Sequence, residues 1–328
     1  MKLLTTGCII VAPLLAHVAT AWAQGCCTVG SSSLGGLESG VQAYKTLSIS
    51  ANYQFNSLTR AYQGTEKILD PLRRAADVGY FSLQFEYGLQ PKLSVLASLH
   101  YAGKSREITV VSGTGSNQFN ETVSFSGSGV GDVIVLVKYQ LVKPGIGSPF
   151  ELAVGGGASL PTGSFTKERN GTQLSIDLQP GTGATAMIGW VLVMKGFPEI
   201  GVRLIGTANY RYAGTNFDGY RLGDEILVHL GGEYTITENV GGSMYLRSRF
   251  AQKDYANRRV LGATGGSYLD LMPGISYSDG PSTARVFGQV PVYRNVRGIQ
   301  LSLSYMIGVE YRYTFDVRGL VDVIVPEL

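Results

Sequence analysis

The stretch Leu47-Ser48-Ile49-Ser50-Ala51-Asn52-Tyr53-Gln54-Phe55 alternates apolar and small polar residues without a slip. Successive side chains on a β-strand point to opposite faces, so Leu47, Ile49, Ala51, Tyr53 and Phe55 share one side and the polar residues share the other. The run at 301–315 repeats the pattern, with Leu301, Leu303, Tyr305, Ile307, Val309, Tyr311, Tyr313 and Phe315 placed on a single apolar face. A wall that is greasy on one surface and wet on the other suits a sheet standing in a lipid bilayer.

Working outward, strand signals recur near residues 42–56, 79–89, 92–102, 130–142, 149–160 and 183–195, then 199–212, 223–236, 240–251, 267–278, 283–294 and 300–315. This predicts an all-β chain, a transmembrane antiparallel β-barrel of about 12 strands. The connections alternate in length. Gln90-Pro91-Lys92, Lys195-Gly196-Phe197-Pro198, Thr237-Glu238-Asn239 and Asp279-Gly280-Pro281-Ser282 read as tight turns, whereas 57–78, 103–128, 161–182 and 252–266 read as long polar loops. Short turns belong on the periplasmic side and long loops outside, which places both termini in the periplasm.

Aromatic residues of the apolar parity gather at strand ends, as rings at a lipid–water interface do. Tyr87, Tyr139, Phe150, Tyr234, Tyr277, Tyr313 and Phe315 are expected in one girdle, and Tyr53, Phe55, Phe81, Tyr101, Tyr210, Tyr212 and Phe250 in the other. Asp224, at a rim, is the one acidic exception on the apolar parity. A soluble β-sandwich would alternate too, but it needs no paired aromatic belts. Pro273 and Pro291 interrupt the hydrogen-bond ladder and predict bulges.

The chain opens with Met1-Lys2, an apolar run and Ala21-Trp22-Ala23, the layout of an export signal cleaved before Gln24. The expected organisation is therefore a signal peptide at 1–23, a Gly/Ser-rich segment at 24–41, the barrel at 42–315 and a periplasmic tail at 316–328. The Gly/Ser-rich segment either folds inward as a plug or is disordered, the second being preferred. Cys26-Cys27 reads as a tethered terminus before a metal or redox pair, and lipidation at Cys26 lacks the expected Leu three residues earlier. A formal net charge of +3 and the lack of any Lys/Arg run give no reason to expect nucleic acid. The expected partners are outer-membrane lipid, small-molecule solutes and the outer-membrane assembly machinery, which reads an aromatic-rich last strand.

The inward parity carries Glu86, His100, Asp132, Lys138, Glu151, Arg203, Arg211, Glu225, His229, Glu233, Arg247, Arg249, Asp270, Arg285, Glu310 and Arg312. From the seventh strand the sign changes strand by strand. Cross-strand pairing makes such a ladder structural first, and charged linings also select solutes. Arg203, Arg211, Glu225, Glu233, Arg247, Arg249, Asp270, Arg285, Glu310 and Arg312 are the candidate lumen and selectivity residues. Gly155 and Gly157, also inward, are expected to leave the lumen room. His100 with Ser98 is a weak nucleophile–base pair, two His give no metal spacing, and no cofactor or catalytic residue is expected.

Gly129-Val130-Gly131-Asp132-Val133, Leu160-Pro161-Thr162-Gly163 and Gln179-Pro180-Gly181-Thr182-Gly183 come one after another in order. Pro273-Gly274-Ile275 and Val290-Pro291-Val292-Tyr293-Arg294 with Gly298-Ile299-Gln300-Leu301 complete the set. Over residues 127–305 the chain thereby resembles an outer-membrane transporter family associated with the meta-cleavage pathway of phenol degradation. The resemblance implies an outer-membrane barrel that passes small, hydrophobic or aromatic compounds. The expected function is passive passage of small molecules, the alternative a closed structural or adhesive barrel whose outer loops, chiefly 103–128, bind a partner.

Overall fold

A computed structural model of the chain describes residues 39–70, 72–112, 119–145 and 149–317. Twelve antiparallel strands form the wall: β1 (Thr46–Leu58), β2 (Ala75–Gln90), β3 (Leu93–Ser112), β4 (Val133–Val142), β5 (Phe150–Leu160), β6 (Ala186–Phe197), β7 (Val202–Ala213), β8 (Glu225–Thr235), β9 (Val240–Ala251), β10 (Gly266–Asp279), β11 (Ser282–Ser302) and β12 (Tyr305–Asp316). Each pairs with its neighbours in sequence, and β1 pairs with β12 from Thr46↔Asp316 to Ser57↔Tyr305, so the sheet is a closed barrel. Closure leaves no edge in the wall.

Burial follows parity as the alternation requires. On β1, Ser48, Ser50, Asn52, Gln54 and Asn56 are buried inside while Tyr53 is 47% exposed outside. The outward surface elsewhere carries exposed Val137, Leu204, Leu230, Ile275 and Ile307, and both expected girdles of rings lie on it. Water could not hold such a surface in contact with itself over the whole circumference without association, whereas hydrocarbon can. The fold is that of an outer-membrane β-barrel.

Several expectations are corrected in detail. Residues 103–128 are not a plain loop: β3 continues to Ser112 and pairs with a strand at Phe119–Val130, forming a ribbon beyond the wall. The long connections at 57–78, 161–182 and 252–266 carry short strands of their own. Asp224 does not face lipid; it is buried beneath the long-loop rim, where its Oδ1 accepts from the Ala213 N–H at 3.2 Å and from Arg221 at 3.0 Å.

The run at 301–315 is one face only from Tyr305 onward. Leu303 and Ser304 break the strand, and Leu301 and Leu303 turn inside, where Leu301 packs with Leu58, Ala76 and Val78. Pro273 keeps its register with Met244 on β9, while the pairing of β10 with β11 slips beside Pro291, where Asp270↔Pro291 is followed by Leu269↔Tyr293. The chain enters from inside: residues 39–42 lie within the ring at the short-turn rim, and the Lys45 N–H then bonds to the Gly88 carbonyl at 2.9 Å. The expected signal, most of the Gly/Ser-rich segment, Cys26-Cys27 and the tail beyond Val317 lie outside the described residues.

Candidate solute pathway in the lumen

The candidate charged residues do not form one ladder; they gather at two levels of the lumen. Near the short-turn rim Arg203 pairs with Glu233, its Nε donating at 3.0 Å, and the Tyr245 hydroxyl donates to the other Glu233 oxygen at 2.7 Å. Arg312 donates to Glu310 at 2.8 Å and, through Nε, to Ser50 at 3.0 Å. Arg285 stands opposite Glu310 in the register, its guanidinium over the Tyr245 and Phe287 rings at 5.3 and 5.2 Å.

The same level holds a buried group around Lys138. Its ammonium lies 3.0 Å from Glu86, 3.1 Å from the Ser39 carbonyl and 5.0 Å from the centre of the Trp190 ring. Glu151 accepts from Gln140 at 2.8 Å and from the Val41 N–H at 3.2 Å. The start of the described chain is thus fastened inside the barrel by charge-assisted bonds, which are about twice as strong as neutral ones.

Toward the long-loop rim, Glu225 accepts from Arg249 at 2.7 Å and has Arg211 at 3.7 Å. Asp270 pairs with Arg294, not with Arg285 as simple alternation suggests. Arg294 is absent from the sequence-based set because strict parity points it outward. The register slip beside Pro291 adds a residue, reverses the parity of the strand beyond it and turns Arg294 in. Arg247 pairs in register with Asp270 but donates instead to the Gln289 side chain at 3.1 Å, whose amide donates onward to Asp270 at 2.7 Å.

Between the two charged levels much of the wall is apolar, interrupted by Thr207, Asn209 and His229 on β7 and β8 and by the polar inward face of β1. Leu96, Leu136, Ala153, Trp190, Leu192, Ile205, Tyr245, Met272, Phe287 and Met306 belong to one contiguous buried cluster that runs from β3 to β12. Charges dominate the inward parity in the sequence and mask this belt, although Ile188, Trp190, Leu192 and Met194 on β6 are legible there as inward and wholly apolar. Nor does Gly155 leave an empty place: a side-chain carbon there would come within 3.0 Å of the Trp190 ring, which fills it.

His100 stacks on Tyr80 with ring centres 5.3 Å apart, and among the described residues neither its nitrogens nor the Ser98 hydroxyl has a hydrogen-bond partner. The two side chains therefore do not form a nucleophile–base pair in this arrangement.

Three of the short motifs meet at the long-loop rim. Asp132 accepts from the Gly163 N–H at 3.0 Å, the Thr182 N–H at 2.9 Å and the Thr182 hydroxyl at 2.6 Å. A side chain at Gly163 would strike the Gly131 carbonyl carbon at 2.6 Å, and one at Gly181 would strike Gly163 at 2.7 Å, so these two positions can approach only as glycines. Gln179, 1% exposed, bonds to the backbone of Lys167 and Leu174, and Arg106 pairs with Asp177 at 2.7 Å. The knot holds segment 161–182 against the wall at this rim. Beside it, Leu174, Ile176, Asn216, Tyr220 and Leu261 line a cleft of about 230 Å³.

Residues 106–306 match the family described as "Putative MetA-pathway of phenol degradation". No curated protein matches the chain. Among solved structures, the crystal structure of an outer membrane channel from Pseudomonas putida F1 is similar at 13% identity and a TM-score of 0.63, over 84% of this chain and 97% of that one. The translocator domain of the autotransporter NalP from Neisseria meningitidis aligns at 8% identity and a TM-score of 0.46, over 88% and 94%. At such identities the likeness to the Pseudomonas channel is one of fold.

Proposed function

The chain belongs to the family of the MetA-pathway of phenol degradation, and from that premise we propose that it is a passive channel of the bacterial outer membrane for small molecules with an aromatic or other apolar part. The observation that carries this reading is the apolar belt set between two charged levels of the lumen. A wall of charges alone would favour ions and sugars. An apolar belt with paired charges above and below it lets an amphipathic solute exchange polar for apolar contacts over a short distance, and charged linings then set which solutes enter.

Arg203, Glu233, Arg285, Glu310 and Arg312 are the selectivity residues at one level, and Arg211, Glu225, Arg247, Arg249 and Asp270 those at the other, with Arg294 added. The short-turn rim faces the periplasm and carries both ends of the barrel, the knot at Asp132 faces outside, and residues 1–23 are an export signal. The last strand, with Tyr311, Tyr313 and Phe315, is the part that the assembly machinery reads. No step of this function is catalytic.

Recording from purified protein in a planar bilayer tests the reading: discrete current steps are expected, with weak ion selectivity because the two signs nearly balance. Silence from protein that migrates as a folded barrel would overturn it in favour of a closed barrel whose ribbon, β3 with Phe119–Val130, binds a partner.

A further inference from the structure

The lumen wall of β6 to β9 carries unused hydrogen-bonding capacity beside an aromatic ring and a guanidinium that bonds to no carboxylate among the described residues. Asn209 and Thr207, each 2% exposed, face inward on β7, and neither amide atom of Asn209 nor the Thr207 hydroxyl has a hydrogen-bond partner among those residues. Buried polar groups as a rule find partners, and a cluster that does not is a place where something polar is meant to sit. In the register Asn209 lies beside Trp190, and Thr207 between Leu192 and His229, whose other neighbour is Arg247.

Arg247 is 6% exposed, and among the described residues its one hydrogen bond goes to the neutral Gln289 at 3.1 Å. The nearby acids are engaged elsewhere. Asp270 is held by Arg294 and by the Gln289 amide, and Glu225 by Arg249 at 2.7 Å and Arg211 at 3.7 Å. Asp254, at the rim above, already accepts from the Tyr220 hydroxyl at 2.6 Å and the Gly223 N–H at 2.7 Å. Four guanidiniums, of Arg211, Arg247, Arg249 and Arg294, therefore share two lumenal carboxylates, and Arg247 is the one within bonding distance of neither.

We propose that this patch is a binding site for a single-ring aromatic carboxylate, with the ring beside Trp190 and Leu192 and the carboxylate on Arg247, where Asn209 and Thr207 can donate to it as well. A guanidinium matches a carboxylate with two parallel bonds, and it does so most strongly where water is excluded. Two strand spacings of about 4.8 Å each separate Thr207 from Arg247, a gap that the long Arg247 side chain and a carboxylate close together. The proposal rests on the channel reading for its purpose, and it names the class of solute that the channel would hold.

The test measures binding of benzoate and of benzamide, its neutral counterpart of like shape, to the purified protein in detergent by calorimetry and by quenching of Trp190 fluorescence, with Trp190→Phe as the blank. Benzoate is expected to bind about tenfold more tightly than benzamide, Arg247→Gln to erase the difference and Arg247→Lys to retain most of it. No binding of either compound, equal binding, or a preference that survives in Arg247→Gln would each overturn the site. The wild-type comparison decides alone should Arg247→Gln fail to fold. Bilayer current read in parallel separates the two ideas: current without benzoate preference sinks the site and leaves the channel, whereas preference without current leaves a binding barrel that does not conduct.

Discussion

Arg294 is ion-paired with Asp270 across β10 and β11, two strands whose register slips by one residue beside Pro291. The pair is buried, with side chains 2% and 4% exposed. Removing one member of such a pair strands the other charge at a cost of about 3–5 kcal/mol. Arg294→Met is expected to lower barrel stability by that amount, read as a shift in the urea midpoint of refolding into vesicles. Deleting Val292, which restores regular parity and turns Arg294 outward, should do the same.

Lys138 ties Glu86, Trp190 and the Ser39 carbonyl together at full burial. Lys138→Met alone should destabilise the barrel more than the double change Lys138→Met with Glu86→Leu, since the double removes both members of the ion pair and strands neither. The same single change should free residues 39–42 from the wall, seen as new cleavage there by a protease added to the purified protein.

At the long-loop rim, Asp132→Ala would orphan the Gly163 and Thr182 N–H groups, each worth about 1–3 kcal/mol when buried without an acceptor. The expected result is a protease-sensitive segment 161–182 on a barrel that otherwise stays folded. Resistance equal to wild type would show that the knot does not hold the segment.

Two loop carboxylates should respond to pH in opposite senses. Burial resists ionisation of Asp70, but the bonds from Arg74 outweigh it and hold its carboxyl below the ordinary 3.8. Its contribution is present above that value and is lost as pH falls through the lower, folded one. Burial pushes Asp254 up, despite bonds from Tyr220 and Gly223, so its ionisation begins to cost stability as pH rises above 3.8 toward the folded value. Amide protection near Asp70 should therefore fall in acid, while that at Gly223 should rise, and Asp254→Asn should flatten the second profile.

Val137 sits midway along β4 on the outer surface. Val137→Arg is expected to cost about 2–4 kcal/mol in vesicles, against about 0–1 kcal/mol for Tyr139→Arg nearer the rim. Equal costs at the two positions would argue that the surface does not meet hydrocarbon.

Strand number and facing were legible because a two-residue period needs only local sequence: Leu47 to Phe55 alone gives β1 its two surfaces. The charges on that lumenal parity were legible for the same reason. What parity could not give was any place where the period breaks. Arg294 turned inward through a bulge, and Leu301 and Leu303 through the interruption at Ser304. Partner choice was hidden as well. Arg247 and Asp270 are register neighbours, yet Arg247 takes Gln289, because long side chains reach two strands away. The knot of Asp132, Gly163 and Gly181 joins stretches dozens of residues apart, and its motifs could be seen in the sequence without any sign that they touch.

The strand made last, Tyr305–Asp316, is the one that meets the first, Thr46–Leu58. A polypeptide released early by the ribosome, short of residue 305, would leave both β1 and β11 with raw flanks. Such a fragment would retain nearly all of the lumen residues but have no way to seal itself, and unpaired flanks invite stacking with other chains. Completion of translation is thus itself a checkpoint, and any nonsense mutation ahead of that strand, however late, should yield aggregates or degradation products in place of a narrower pore.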